Sequence, residues 1–152
     1  MIKAWLFLHL LGFTLWIGGA IASMVAGVSV KREGREALGV VARAQAAIQK
    51  ALIGPGALIT VLSGLILTFR VTARTGELVG FNLWLVLMQG AGIVGALVAL
   101  LISLPTASKL ARIDPVGPHA DYFDELRARQ KITASIAGVL AMAALVGGVM
   151  VR

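Results

Sequence analysis

The sequence predicts an all-α membrane protein, a single domain built as a bundle of four transmembrane helices. Hydrophobic residues make up 59% of the 152 residues and charged residues only 14%, whereas about a quarter of a soluble domain is charged. Four apolar stretches have about the twenty residues or more that a helix needs to cross a bilayer. The charged residues are concentrated between these stretches. Such a chain could not cover a water-facing surface, so one membrane domain over residues 1–152 is expected.

The four predicted spans cover about residues 4–30, 52–69, 81–104 and 132–151. The first contains neither a charged residue nor a proline, so nothing in it interrupts a helix. The third begins near Trp84 and is expected to end near Pro105. Each span is long enough to carry the chain across a bilayer as one helix.

The second and fourth helices are expected to extend beyond the bilayer into the cytoplasm. Residues 36–50 have apolar positions at helical spacing and no helix breaker before Gly54-Pro55-Gly56. The proline there either kinks one long helix or starts a new one. A turn cluster at residues 114–118 precedes Asp121, which is expected to cap the fourth helix. That helix would continue without a break into the last span.

The distribution of lysine and arginine predicts the orientation, because cytoplasmic loops of membrane proteins are enriched in both. Ten of these residues lie in the first and third connections, and four lie at the termini and in the second connection. The first and third connections are therefore expected in the cytoplasm and both termini outside. The larger group is Lys31, Arg32, Arg35, Arg43, Lys50, Lys109, Arg112, Arg127, Arg129 and Lys131; the smaller is Lys3, Arg70, Arg74 and Arg152.

The composition also excludes several kinds of site. The chain has no cysteine, which rules out disulfides, thiolate metal sites and iron–sulfur clusters within it. Its net charge of +7 resides in basic residues at the ends of apolar runs, where lipid headgroups rather than nucleic acid are the expected partners. No phosphate loop, pair of intramembrane carboxylates or nucleophile–base pair is evident, so no catalytic residues are assigned.

One histidine lies inside the first predicted span, and an ionisable residue at that depth suggests a functional site. Small and aromatic residues follow it at spacings of three and four, so they share one helix face. Glycine and serine at such spacing allow a neighbouring backbone to approach closely. The histidine is therefore expected to face the bundle. The face consists of His9, Gly12, Trp16, Gly19, Ser23 and Gly27.

Several polar or sulfur-containing side chains are expected at a depth similar to that of His9, in the outer third of the bundle. They come from the second, third and fourth spans and are Ser63, Met88, Gln89 and Met142. Trp16 is also counted among the candidate porphyrin-binding residues, although its depth favours a packing role. His9 itself could be an axial haem ligand, with methionine as an acceptable second ligand. It could instead bind copper together with Met88 and Met142, or relay protons. In a purely structural alternative, His9 and Gln89 would only form hydrogen bonds between helices.

The segment Leu8 to Gly19, with its His-x6-Trp-x-Gly-Gly element, resembles the copper-resistance protein D superfamily of small bacterial membrane proteins. That superfamily is distantly similar to the HemJ-type membrane protoporphyrinogen oxidases. Gly54-Pro55-Gly56, Trp84 at the start of the third helix and Pro105 at its end extend the resemblance over nearly the whole chain.

The resemblance implies a location in a bacterial inner membrane, with either copper handling across that membrane or porphyrin chemistry at His9. The oxidases carry a lysine in the third helix, and its nearest equivalent here is Gln89. We therefore expect an integral membrane protein that uses His9 to bind haem b or a related porphyrin for electron transfer or porphyrin handling. A homodimer or larger membrane complex is expected, because the predicted spans contain no second histidine. The alternatives are a copper transport or tolerance protein, and a non-catalytic accessory subunit.

Overall fold

The computed structural model describes residues 2–30, 33–75 and 82–151, and these form helices and connecting turns without a strand. Two π-helical turns, Gln49–Ile53 and Val98–Ser103, join α2 to α3 and α4 to α5, so the described residues form four continuous rods. Each rod is long and apolar enough to cross a membrane, which confirms the predicted all-helical architecture. The helices are α1 (Ile2–Ser29), α2 (Arg35–Ile48), α3 (Gly54–Thr75), α4 (Leu83–Leu97), α5 (Leu104–Leu110) and α6 (Ala120–Met150).

Pro55 and Pro105 both lie within continuous helical rods, directly after the π-helical turns. Proline has no N–H group and therefore removes one hydrogen bond from a helix interior. The amide of Gly54 bonds to the carbonyl of Gln49, and the amide of Leu104 bonds to that of Ala99, each five residues back. The π-helical turns thus carry the chain past the prolines. The expectation that the third helix ends near Pro105 was wrong, because α5 continues to Leu110.

The observed helix starts differ from two sequence-based expectations. Asp121 was predicted to cap the fourth helix, but α6 begins at Ala120, and its N-cap residue His119 makes no side-chain capping bond. Asp121 instead lies in the first turn, where a carboxylate interacts favourably with the helix dipole. α4 begins at Leu83, and the side chain of Asn82 caps it by accepting from two backbone amides. Residue 81, the predicted start of this span, lies outside the described residues.

The four rods are antiparallel to their neighbours, and glycines allow the closest approaches. A Cβ atom on Gly12 of α1 would lie 2.9 Å from the carbonyl oxygen of Gly56 on α3. A Cβ atom on Gly147 of α6 would lie 2.8 Å from the amide nitrogen of Met88 on α4. Backbones at this distance leave no room for a side chain, which is the small-residue packing typical of helices in membranes.

Two apolar clusters fill the bundle at different levels. The first lies among α1, α3, α4, α6 and the π-helical turns; the second lies at the end of the bundle formed by α2, α5 and the start of α6. Arg35 connects α2 to α6 and the turn before it at the end with the second cluster. Its guanidinium donates to the carbonyl of Pro115 at 2.6 Å and pairs with Asp124 at 2.6 Å. The first cluster consists of Trp16, Ile53, Ala57, Ala96, Ala99, Ala137 and Ala141. The second consists of Ala42, Leu110, Phe123 and Leu126.

Candidate functional site

His9 lies on the face of α1 that packs against α3, as its place on the small-residue stripe predicts. Its Nδ1 atom is 2.8 Å from the backbone carbonyl oxygen of Thr60. A carbonyl oxygen only accepts hydrogen bonds, so Nδ1 must carry the hydrogen. In the neutral imidazole, Nε2 then has a free lone pair. Histidines that bind metals commonly have this arrangement, with the other ring nitrogen donating to a carbonyl that fixes the tautomer.

Ser63 and Gly64 of α3 complete the surroundings of the imidazole. The hydroxyl oxygen of Ser63 is 3.3 Å from Nδ1, and this side chain is 2% exposed. The Ser63 hydroxyl donates to the carbonyl of Ile59, one turn earlier in the same helix. A Cβ atom on Gly64 would lie only 2.9 Å from Cε1 of His9. The ring therefore packs directly on the backbone of α3, which is possible because position 64 has no side chain.

Gln89 of α4 contacts the same helix, α3. Its Nε2 donates to the hydroxyl of Thr68 at 2.7 Å, and that hydroxyl donates to the carbonyl of Gly64 at 3.1 Å. His9 and Gln89 are thus connected through one segment of α3. The structure brings His9 and Ser63 into direct contact. Gln89 contacts α3 at Thr68, one helical turn after Gly64.

Trp16 lies two helical turns from His9 along α1, inside the first apolar cluster. Only 1% of its surface is exposed. A Cβ atom on Gly95 of α4 would lie 3.3 Å from the tip of the indole. The indole is therefore enclosed by protein and fills the centre of the bundle.

The two candidate methionine ligands lie elsewhere in the bundle. A Cβ atom on Gly148 of α6 would lie 3.1 Å from the sulfur of Met88, so Met88 packs at the interface of α4 and α6, whereas His9 packs at that of α1 and α3. Met142 is 50% exposed on α6. The structure therefore does not gather the two thioethers around the imidazole. The described part of the chain also contains no group of three His, Cys, Asp or Glu residues that could hold a metal ion.

A second polar group, which sequence analysis did not identify as a site, lies between the two apolar clusters. The Nε2 atoms of Gln49 and Gln130 both donate to the hydroxyl oxygen of Ser103, at 2.8 Å and 2.9 Å. All three residues are buried, with 4%, 9% and 0% of their surfaces exposed. The glutamines lie just outside the apolar runs and look solvated in the sequence. The available signal for this site was the position of two prolines: Pro55 follows Gln49 by six residues, and Pro105 follows Ser103 by two.

Comparison of the chain with protein-family models, with curated proteins and with solved structures finds no match. The fold and the site themselves define the class of this protein. Over the residues that the structure describes, the protein is all-helical, with four helices long and apolar enough to cross a membrane, and it holds His9 in a fixed tautomer between two of them.

Proposed function

We propose that this protein is a multi-pass membrane protein that binds haem b or a related porphyrin through Nε2 of His9. The observation that carries the proposal is the hydrogen bond from Nδ1 to the Thr60 carbonyl, 2.8 Å long. It fixes the ring and leaves Nε2 free to act as a ligand. His9 is only partly buried, so its ring can be reached from outside the bundle. The role would be electron transfer or porphyrin handling.

The protein is proposed to lie in a bacterial inner membrane with both termini outside and the first and third connections in the cytoplasm. The excess of lysine and arginine in those connections, ten residues against four, supports this orientation. His9 follows the start of α1 by seven residues, so it would lie near the outer leaflet.

The residues around His9 fit a bound porphyrin in their donor chemistry and polarity. Haem iron commonly takes a histidine as an axial ligand and supplies a one-electron redox couple when bound. Ser63 and Thr60 orient the imidazole. On the same helix, Leu6 and Leu10 have 47% and 57% of their surfaces exposed, which offers apolar contact to a porphyrin face. A second copy of the chain would supply the opposite ligand from its own His9, since the other histidine lies at the start of α6.

Copper binding is supported less well, because Met88 and Met142 lie away from the imidazole. The resemblance to the copper-resistance protein D superfamily is compatible with either cofactor. In a purely accessory subunit, the bond between His9 and Thr60 would serve only to hold α1 against α3.

The test is an absorption spectrum of the purified protein, oxidised and reduced, with metal analysis of the same sample. His9→Ala is the test variant, and His119→Ala is the matched control because it removes the only other histidine. We expect a Soret band and sharp reduced bands in the wild type and in the control, and their loss in His9→Ala.

Other outcomes would contradict the haem proposal in different ways. Stoichiometric copper without a Soret band would favour the copper alternative. Protein from haem-sufficient cells that is colourless, metal-free and purified with a larger complex would favour the accessory role. Full pigment in a folded His9→Ala variant would show that another residue holds the porphyrin.

A further inference from the structure

The buried cluster of Gln49, Ser103 and Gln130 contains a polar atom without a partner. Gln130 is 9% exposed, and its Oε1 atom has no hydrogen bond to any residue that the structure describes. Buried polar atoms are satisfied in the great majority of cases, by protein or by ordered water. Leaving a carbonyl-type oxygen unpaired in a buried site is costly. This atom therefore indicates a guest that the cluster binds.

Counting donors and acceptors defines the chemistry of the guest. A serine hydroxyl has two lone pairs and one hydrogen. The amides of Gln49 and Gln130 occupy both lone pairs of Ser103. The hydroxyl hydrogen still needs an acceptor, and Oε1 of Gln130 needs a donor. A cation could not accept from the hydroxyl, and an anion could not donate to Oε1. Water does both.

The alternative orientation of the Gln130 amide leads to the same guest. Amide oxygen and nitrogen are assigned from the hydrogen-bond network. With the two atoms exchanged, Ser103 would donate to the oxygen, and the NH₂ group would be the unpaired group. A water molecule can accept from that group, whereas a cation would be repelled. A bound water is therefore expected with either assignment, and only the directions of its hydrogen bonds to Ser103 and Gln130 differ.

The surroundings favour a single enclosed guest rather than a solvent channel. Gln49 lies one turn before Ile53, and Ser103 one turn after Ala99; both of these apolar residues belong to the first apolar cluster. Gln130 lies one turn after Leu126, which belongs to the second cluster. The polar layer is thus bounded by apolar side chains on both sides. The two π-helical turns meet at this layer, because Gln49 begins one and Ser103 ends the other.

A second, partly buried polar contact lies one helical turn away from the layer along α2. Gln45 lies one turn before Gln49 and donates to the carbonyl of Ser23 at 2.7 Å. Among the buried side-chain nitrogen and oxygen atoms of the described residues, the Ser23 hydroxyl oxygen is the other one without a hydrogen-bond partner. Gln45 is only partly buried. Polar groups therefore lead along α2 from the partly exposed Gln45 towards Gln49.

We propose that Gln49, Ser103 and Gln130 form a binding site for an internal water molecule, which accepts from the Ser103 hydroxyl and donates to Gln130. This water bridges α6 to the π-helical turn between α4 and α5. It is independent of any cofactor at His9, since the first apolar cluster separates the two polar layers.

The test uses the full-length protein in lipid nanodiscs with ¹⁵N-labelled glutamine and ¹³C-labelled alanine methyl groups. Magnetisation transfer from water to the side-chain amides of Gln49 and Gln130 is measured, with the methyl group of Ala141, which is 0% exposed, as the dry control. We expect water cross-peaks at both amides and none at Ala141. Their absence from the two amides would overturn the proposal.

The stability of Gln130→Met gives a second readout that does not depend on detecting water. With a bound water, the variant loses this bridge and the amide bond to Ser103, and we expect Tm to fall by about 5 °C. Gln89→Met is the matched control, because it removes one hydrogen bond, to Thr68, without touching the cluster, and a smaller fall is expected. If Oε1 of Gln130 is truly unpaired, removing it relieves a penalty, and Tm rises instead. Should Gln130→Met fail to fold, the cross-peaks of the wild type still decide.

Discussion

Replacing Gly64 with alanine tests whether α3 holds the imidazole of His9. The added Cβ atom would lie 2.9 Å from Cε1 and 3.2 Å from Nδ1 of His9. Carbon atoms in good contact are about 3.5–4.0 Å apart, so the ring must move by roughly 0.6 Å or more. The hydrogen bond from Nδ1 to the Thr60 carbonyl, 2.8 Å long, could then lengthen beyond the usual upper limit of about 3.2 Å.

The expected cost follows from these displacements. Overpacking costs about 1–3 kcal/mol, and a weakened hydrogen bond adds about 1 kcal/mol. Alanine is a better helix former than glycine by about 1 kcal/mol, which offsets part of the loss. The gain in helix propensity is common to any glycine-to-alanine change within a helix, so we expect Gly64→Ala to be destabilised by about 2–4 kcal/mol relative to such a change in open space.

Gly90→Ala is that matched control, because a Cβ atom on Gly90 meets nothing within 4 Å. Both variants would be unfolded reversibly in mixed lipid–detergent micelles, and their imidazole ¹⁵N resonances compared with those of the wild type. Equal stability of the two variants, with unchanged His9 resonances in Gly64→Ala, would refute the packing of the ring on α3.

Two further predictions concern the bundle itself. Gly147→Ala should lower the free energy of unfolding by about 2 kcal/mol or more, because its Cβ atom would lie 2.8 Å from the backbone nitrogen of Met88. Gly138→Ala is the control and should be neutral or slightly stabilising, because a Cβ atom there meets nothing within 4 Å. Equal unfolding curves of the two variants would contradict the close contact between α4 and α6. Asp124→Asn should lower the free energy of unfolding by less than about 1 kcal/mol, because both side chains of the Arg35–Asp124 ion pair are about half exposed. A much larger loss in the same assay would contradict the view of this pair as a weak surface ion pair.

The sequence was sufficient to predict the architecture, because hydropathy and helical periodicity determine it directly. The stripe on α1 was also predicted, and Gly12, Trp16 and Gly19 are indeed buried. The contact of His9 with Ser63 followed from estimates of depth along two antiparallel helices. These features depend only on spacing within a helix and on the thickness of a bilayer.

Features that depend on rotation between helices could not be predicted. Met142 was predicted at the level of His9, but its side chain is half exposed, because depth does not determine which way a side chain faces. The bonds of Gln49 and Gln130 to Ser103 depend on the π-helical turns, whose extra residue shifts the helix face. A proline signals a missing hydrogen bond, but it does not show whether the helix will break, kink or widen.

The most direct test of the account is the tautomer of His9. The chain has two histidines, so ¹⁵N-histidine labelling of His119→Asn leaves one imidazole to observe. We expect a hydrogen on Nδ1, an unprotonated Nε2 resonance, and a shift or loss of that Nε2 resonance when haem is added. A hydrogen on Nε2, with Nδ1 unprotonated, would contradict the donation to Thr60 and remove the basis for His9 as a ligand.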